Sequence, residues 1–205
     1  MLNINKLINA GETQTEFLNG QNANLSFDIQ QNGVLNLYCL LMGQTLDVCV
    51  NLIGQNAAVN IKTLYLSATD MDNDIHFEIN HLAGQTYSHQ LIKGVACGIS
   101  KSHFYGIIRI PANMQKCEGS QTHKALLLSE NAVVNAVPEL EIYADDVKCA
   151  HGSSVGALDE KELFYLSSRG IDAKTAKKML IKAFALSDMP NDFEQPILQW
   201  MADYE

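Results

Sequence analysis

Arginine is nearly missing from this chain: Arg109 and Arg169 are the only two among 14 basic side chains, against 23 acidic ones. The resulting formal charge of −9 argues against a nucleic-acid partner, because such binding needs basic side chains that displace phosphate counterions. No apolar run approaches the roughly 18 residues of a membrane helix. The opening Met-Leu-Asn-Ile-Asn-Lys also lacks the charged-then-apolar order of a secretory signal. A cytoplasmic protein without a membrane partner is therefore expected. The five cysteines (39, 49, 97, 117 and 149) form no Cys-x-x-Cys pair and are odd in number, so they read as free thiols or occasional ligands. Aromatic residues are few at 7%, yet a hydrophobic content of 47% over 205 residues suffices for a buried core without disulfides or metal.

Catalytic signatures are missing as well. No phosphate-cradling glycine loop, no dinucleotide fingerprint, no His-Glu-x-x-His and no Gly-x-Ser-x-Gly occurs. Asp70, Asp72 and Asp74 have the spacing with which a calcium loop begins, but Ile75 stands where that loop needs Gly and His81 where it needs Glu. A solvated turn between strands is the better reading. His76 and Glu78 share the polar face of a strand, where cross-strand hydrogen bonding is the ordinary role. His89, His103 and His123 have no partner at ligand spacing. An enzyme acting on carbohydrate would want a row of acids with Arg or Lys along one face, and Arg109 is the only arginine before residue 157.

What is present divides the chain in two. Sixteen of 17 asparagines precede residue 136, whereas charged residues number 22 in 1–156 and 15 in the much shorter 157–205. In the first part the apolar period is two. Leu35, Leu37, Cys39 and Leu41 alternate with polar positions, as do Leu46, Val48, Val50 and Leu52, and Ile75, Phe77 and Ile79. Gly-Gln pairs recur between the runs, at 20–21, 43–44, 54–55 and 84–85. Short strands with glycine turns fit a sandwich, a barrel or a β-solenoid, and the asparagine-rich turns favour a parallel β-helix. The second part switches to helical spacing. Asp159 and Glu162 make a capping-box-like start ahead of Leu163, Phe164 and Leu166, with Gly170 as stop. Asp172 caps a second helix whose expected apolar face is Ala176, Met179, Leu180, Ala183 and Phe184. Phe193, Ile197, Trp200 and Met201 outline a third. Helices this small must pack on the β-part or on a partner. Two domains are expected, a β-helix over 1–156 and a helical domain over 157–205.

One stretch is more specific. Residues 138–156 read Pro-Glu-Leu-Glu-Ile-Tyr-Ala-Asp-Asp-Val-Lys-Cys-Ala-His-Gly-Ser-Ser-Val-Gly, followed by Leu158-Asp159-Glu160 and by Leu-Phe-Tyr-Leu-Ser-Ser-Arg-Gly-Ile over 163–171. This resembles the SufB/SufD family of iron–sulfur cluster assembly proteins, the SufD branch in particular. Lys93-Gly94-Val95 and Leu126-Leu127-Leu128-Ser129 extend the resemblance upstream, so that it covers about residues 60–186. The resemblance implies a right-handed parallel β-helix followed by a C-terminal helical domain. It further implies a scaffold subunit, not an enzyme in its own right. Such a subunit pairs with a SufB-like partner, or a second copy, through the C-terminal end of the β-helix, and docks a SufC-like ABC ATPase through its C-terminal helices.

Within Lys-Cys-x-His-Gly the resemblance marks Cys149 and His151 as candidate iron or cluster ligands. An iron–sulfur cluster or iron would be bound transiently at the subunit interface, and none tightly by this chain alone. Residues i and i+2 of a strand project from one face, so a thiolate and an imidazole can approach the same iron. Otherwise the pair is a buried thiol beside a hydrogen-bonded histidine. Ala150 replaces the family's usual serine, the polar run around Gln121-Thr122-His123 is altered, and the N-terminal helical region usual in the family has no counterpart before the strand pattern. The rival readings are a paralogue that dimerises or binds the ATPase but handles no iron, and a β-helix carbohydrate-active enzyme.

Overall fold

Period-two alternation buries the residues it singles out. Leu35, Leu37, Cys39 and Leu41, then Leu46, Val48, Val50 and Leu52, then Ile75, Phe77 and Ile79 all lie in one core. The structure is a computed structural model and describes residues 1–203; residues 204 and 205, the last of the expected helical domain, lie outside the described residues. Twelve strands form two six-stranded parallel sheets, and the chain passes from one sheet to the other at every turn. The first sheet holds, in spatial order, β1 (Leu2–Ile8), β3 (Ala23–Ile29), β5 (Thr45–Leu52), β7 (Asp74–His81), β9 (Lys101–Ile110) and β11 (Val133–Ile142). The second holds β2 (Thr13–Asn19), β4 (Val34–Leu41), β6 (Ala58–Ser67), β8 (Tyr87–Ala96), β10 (Cys117–Leu127) and β12 (Val147–Gly156). Each coil thus contributes one strand to each sheet, which is a flattened parallel β-helix. Its first coil is built from β1 and β2, so regular strand structure starts at Leu2, well before the alternation becomes obvious in the sequence.

The turns explain the asparagines. At one corner Asn32, Asn56, Gln85 and Lys116 follow one another in successive coils with φ between 57° and 61°; at the other, Gly20, Gly43, Thr69 and Gly98 have positive φ as well. Asparagine tolerates this left-handed region better than most residues because its short amide bonds locally. Side-chain amides also stack from coil to coil: Asn56 Nδ2 donates to Asn32 Oδ1 at 3.0 Å, Asn60 to Asn36 at 3.0 Å and Asn80 to Asn51 at 3.0 Å. Each such ladder satisfies polar groups that a parallel stack would otherwise crowd together.

After β12 the chain forms α1 (Glu160–Ser168), α2 (Ala173–Leu186), a 3-10 turn (Asn191–Phe193) and α3 (Glu194–Asp203). Asp159 caps α1 by accepting from Lys161 N at 2.7 Å. The helix stops in a Schellman arrangement, with Gly170 N bonded to Ser167 O, Ile171 N to Leu166 O, and Gly170 at φ 83°. Asp172 caps α2 through Thr175 N. α2, the 3-10 turn and α3 pack on the β-part, whereas no residue of α1 is buried. Ile181, Ala185, Phe193, Ile197 and Trp200 cover Leu40, Leu64, Leu66, Val95 and Cys97 on the outer face of the second sheet, and burying each such side chain contributes about 1.5–3 kcal/mol. Lys93 Nζ ties the two parts together by donating to Ser187 O and Oγ. One expectation fails. The buried face of α2 is Ala176, Ile181 and Ala185, while Met179 and Ala183 are exposed. The sheet meets the helix about one residue off the stripe that spacing alone suggested.

Candidate functional site

β10 and β12 pair in parallel with Gly119 opposite Cys149, Gln121 opposite His151 and His123 opposite Ser153. One coil earlier the same columns continue into Ser88, Gln90 and Ile92 of β8. In β8 and β10 these positions are buried and face between the sheets. Cys149 and His151 therefore occupy the inward-facing columns of the last coil. Cys149 packs against the main core and is half-buried. A Cβ at Gly119 would just touch the Cys149 Sγ, at 3.4 Å. His151 is exposed although Gln121, beside it in the column, is fully buried. The difference has a topological cause: β11 and β12 end their sheets, and among the described residues no further coil covers them. Val134, Ala136, Leu140 and Ile142 of β11 close the other wall and are only partly buried.

Electrostatics sets what these groups can do. Burial pushes the Cys149 thiol up, and the backbone N–H of Gly119 opposes this in part. In the single chain it is thus a protonated thiol, which would lose its proton on binding a metal. All five cysteines are free. Burial pushes Cys39 up to about 12 and Cys97 up to about 11, so both behave as core residues.

The sequence left Gln121 and His123 without roles, and the structure places Gln121 behind His151 and His123 behind Ser153, one inward position further along the strand. His123 lies flat between Phe104 and Tyr65, with ring centroids 5.4 and 5.9 Å away. Its Nε2 meets Tyr65 Oη at 2.9 Å and its Nδ1 meets Ser153 Oγ at 3.1 Å. Burial pushes this imidazole down to about 4, so it is neutral at physiological pH. Gln121 Nε2 donates to Gln90 Oε1 at 2.9 Å, while Gln121 Oε1 and Gln90 Nε2 have no partner among the described residues. The interior of the last coils is thus polar, unlike the aliphatic interior of the first. Alternation through Cys117, Gly119, Gln121 and His123 was the signal available in the sequence, but it was hidden because polar residues hold inward positions.

Three further features bear on function. On the outer face of the first sheet, Arg109 bridges Glu78 at 2.6 Å and Glu141 at 2.8 Å. An acid row with an arginine is therefore present, contrary to the sparse impression from counting. Hydrogen bonds from Tyr143 and Arg109 hold the Glu141 carboxyl below its usual range, whereas a glycosidase acid needs its carboxyl raised. Second, α1 exposes Phe164 at 75% and Tyr165 at 57%. Where α1 and α2 meet the second sheet runs a separate groove of about 450 Å³ lined by Leu127, Leu128, Leu158, Leu163, Lys177 and Ile181. Third, no helix among the described residues is long and apolar enough to cross a membrane.

Comparison with known proteins bears on this architecture. Residues 12–184 match the family model described as SUF system FeS cluster assembly, SufBD core domain. The chain is 38% identical over 132 residues to the iron–sulfur cluster assembly protein SufD of Escherichia coli, covering 64% of this chain and 31% of that one. It is 36% identical over 141 residues to the chloroplastic protein ABCI7 of Arabidopsis thaliana, covering 67% and 29%. With SufD of Bacillus subtilis the identity is 33% over 134 residues, covering 65% and 31%. The chain thus spans about a third of the length of these relatives. A parallel β-helix with a helical appendage, matched by this model over most of its length, belongs to the SufBD family of iron–sulfur cluster assembly proteins.

Proposed function

We propose that this chain is a scaffold subunit of a Suf-type assembly machinery, without catalysis of its own. It pairs through the open end of its β-helix with a SufB-like subunit or a second copy, and it docks a SufC-like ABC ATPase through α1 and α2. Iron or a nascent cluster is the cargo, held transiently at the paired end by Cys149, His151 and ligands from the partner. A cytoplasmic location goes with this reading.

The observation that carries it is the uncovered last coil. His151 lies in an inward column yet is exposed, and β11 and β12 present two unpaired strand edges. Such edges invite pairing with another chain. Two ligands do not saturate iron, which leaves positions for a partner to fill. For the ATPase, the exposed Phe164 and Tyr165 of α1 are of the residue type that anchors protein interfaces.

A second reading keeps the pairing but drops the iron: burial raises the Cys149 thiol, as it would for a purely structural residue. Both readings meet in one experiment, anaerobic co-purification with SufB- and SufC-like partners. The scaffold reading expects His151→Ala and Cys149→Ser to keep the complex but lose iron loading and cluster yield. Unchanged loading in both variants supports the second reading. Failure to bind any SufC-like ATPase overturns the scaffold reading.

A further inference from the structure

Away from the open end, three metal-ligating side chains converge on the outer face of the first sheet. Asp74 and His76 stand two residues apart on β7 and so share a face. His103 on β9 pairs in register with Asp74, and Asp47 on β5 pairs in register with His76. Asp74 Oδ1 lies 3.3 Å from His76 Nε2 and 3.3 Å from His103 Nδ1. One ligand atom from each of the three falls within 4.8 Å of the others. Ligands about 2.0–2.1 Å from a tetrahedral ion are separated by roughly 3.3–3.4 Å along each edge, so the carboxylate oxygen already stands at ligand spacing from both nitrogens.

The remaining nitrogen of His76 is also committed. Its Nδ1 lies 3.4 Å from Asp47 Oδ1, an arrangement in which a carboxylate orients the imidazole and presents the opposite nitrogen to a metal. His76 packs edge-on against Tyr105, with centroids 6.1 Å apart, which limits its rotation. Two imidazoles and a carboxylate suit a borderline transition-metal ion better than calcium or magnesium, which prefer all-oxygen shells.

We propose that Asp74, His76 and His103 form a binding site for one divalent transition-metal ion, with Asp47 as the residue that positions His76. Three protein ligands on an open sheet face leave the remaining positions to solvent, so the ion is exchangeable. The site does not rest on the scaffold reading, because it shares no residue with the open end.

The test is titration of the full chain with Co²⁺, read by calorimetry and by visible absorption, in the wild type and in the Cys149→Ser/His151→Ala double variant. One ion per chain is expected in both, with a d–d spectrum and no thiolate charge-transfer band. His76→Ala, His103→Ala and Asp74→Asn should each weaken binding at least about tenfold, and Asp47→Asn by about 10–100-fold as for other outer-shell carboxylates. These side chains are at the surface or half-buried, so each variant should keep the wild-type circular dichroism spectrum. Wild-type affinity in the three ligand variants, binding abolished by the double variant, or no binding at millimolar Co²⁺ would each overturn the proposal.

Discussion

His81 and His123 are fully buried in the β-helix, and burial pushes both imidazoles down to about 4. His81 keeps its neutral ring by bonding Thr86 Oγ1 at 2.7 Å and Ser88 Oγ at 2.9 Å. In the unfolded chain the same groups titrate near 6.5. Between these values the unfolded state binds more protons than the native one, so stability falls as pH drops. Each histidine contributes up to about 3 kcal/mol that is present above pH ~6.5 and lost toward pH ~4. Urea midpoints measured across this window should therefore decline, and His123→Gln should decline less steeply than the wild type. Equal slopes would show that His123 is not the titrating group. His81 continues the alternation of Ile75, Phe77 and Ile79, so its face was legible, whereas that of His123 was hidden because the inward positions before it, Gly119 and Gln121, are not apolar.

At the scale of elements, β12 is the exposed margin of an otherwise protected stack. β8 is paired on both sides, by β6 and β10, whereas β12 has β10 alone. Strands paired on one side open by local fluctuation at low cost, while central strands exchange only with larger unfolding. Hydrogen exchange should thus be faster in β12 than in β8, by about tenfold or more, and should slow in β12 when a pairing partner is added. The caps of α1 and α2 were readable because Asp159, Gly170 and Asp172 act within a few residues of themselves. The buried face of α2 was not, since the groove in the second sheet decides which stripe of an amphipathic helix is covered.

The whole molecule joins a β-helix to helices that its second sheet requires. Leu64, Leu66 and Val95 point outward from that sheet, and Ile181, Phe193 and Trp200 cover them. Phe17 on β2 also meets Phe193 edge-on, with centroids 6.0 Å apart. A chain cut after Gly156 would expose a contiguous apolar strip, and patches beyond a few hundred Å² drive association. Such a truncation should run as soluble aggregate on size exclusion with light scattering, while the full chain does not.

The alternation of apolar residues, the asparagine-rich turns, the helix caps and the Lys-Cys-x-His-Gly segment determined the strands, the coil corners and the family resemblance, because each acts between chain neighbours. Only the tertiary structure decided which side chains meet across coils. Asp74 and His103 are 29 residues apart, Gln90 and Gln121 are 31 apart, and Asn32 and Asn56 are 24 apart. The interval between stacked positions drifts as loops lengthen, so no fixed spacing announces a ligand pair. His103, which had no partner along the chain, finds Asp74 in the neighbouring strand because parallel register places it there.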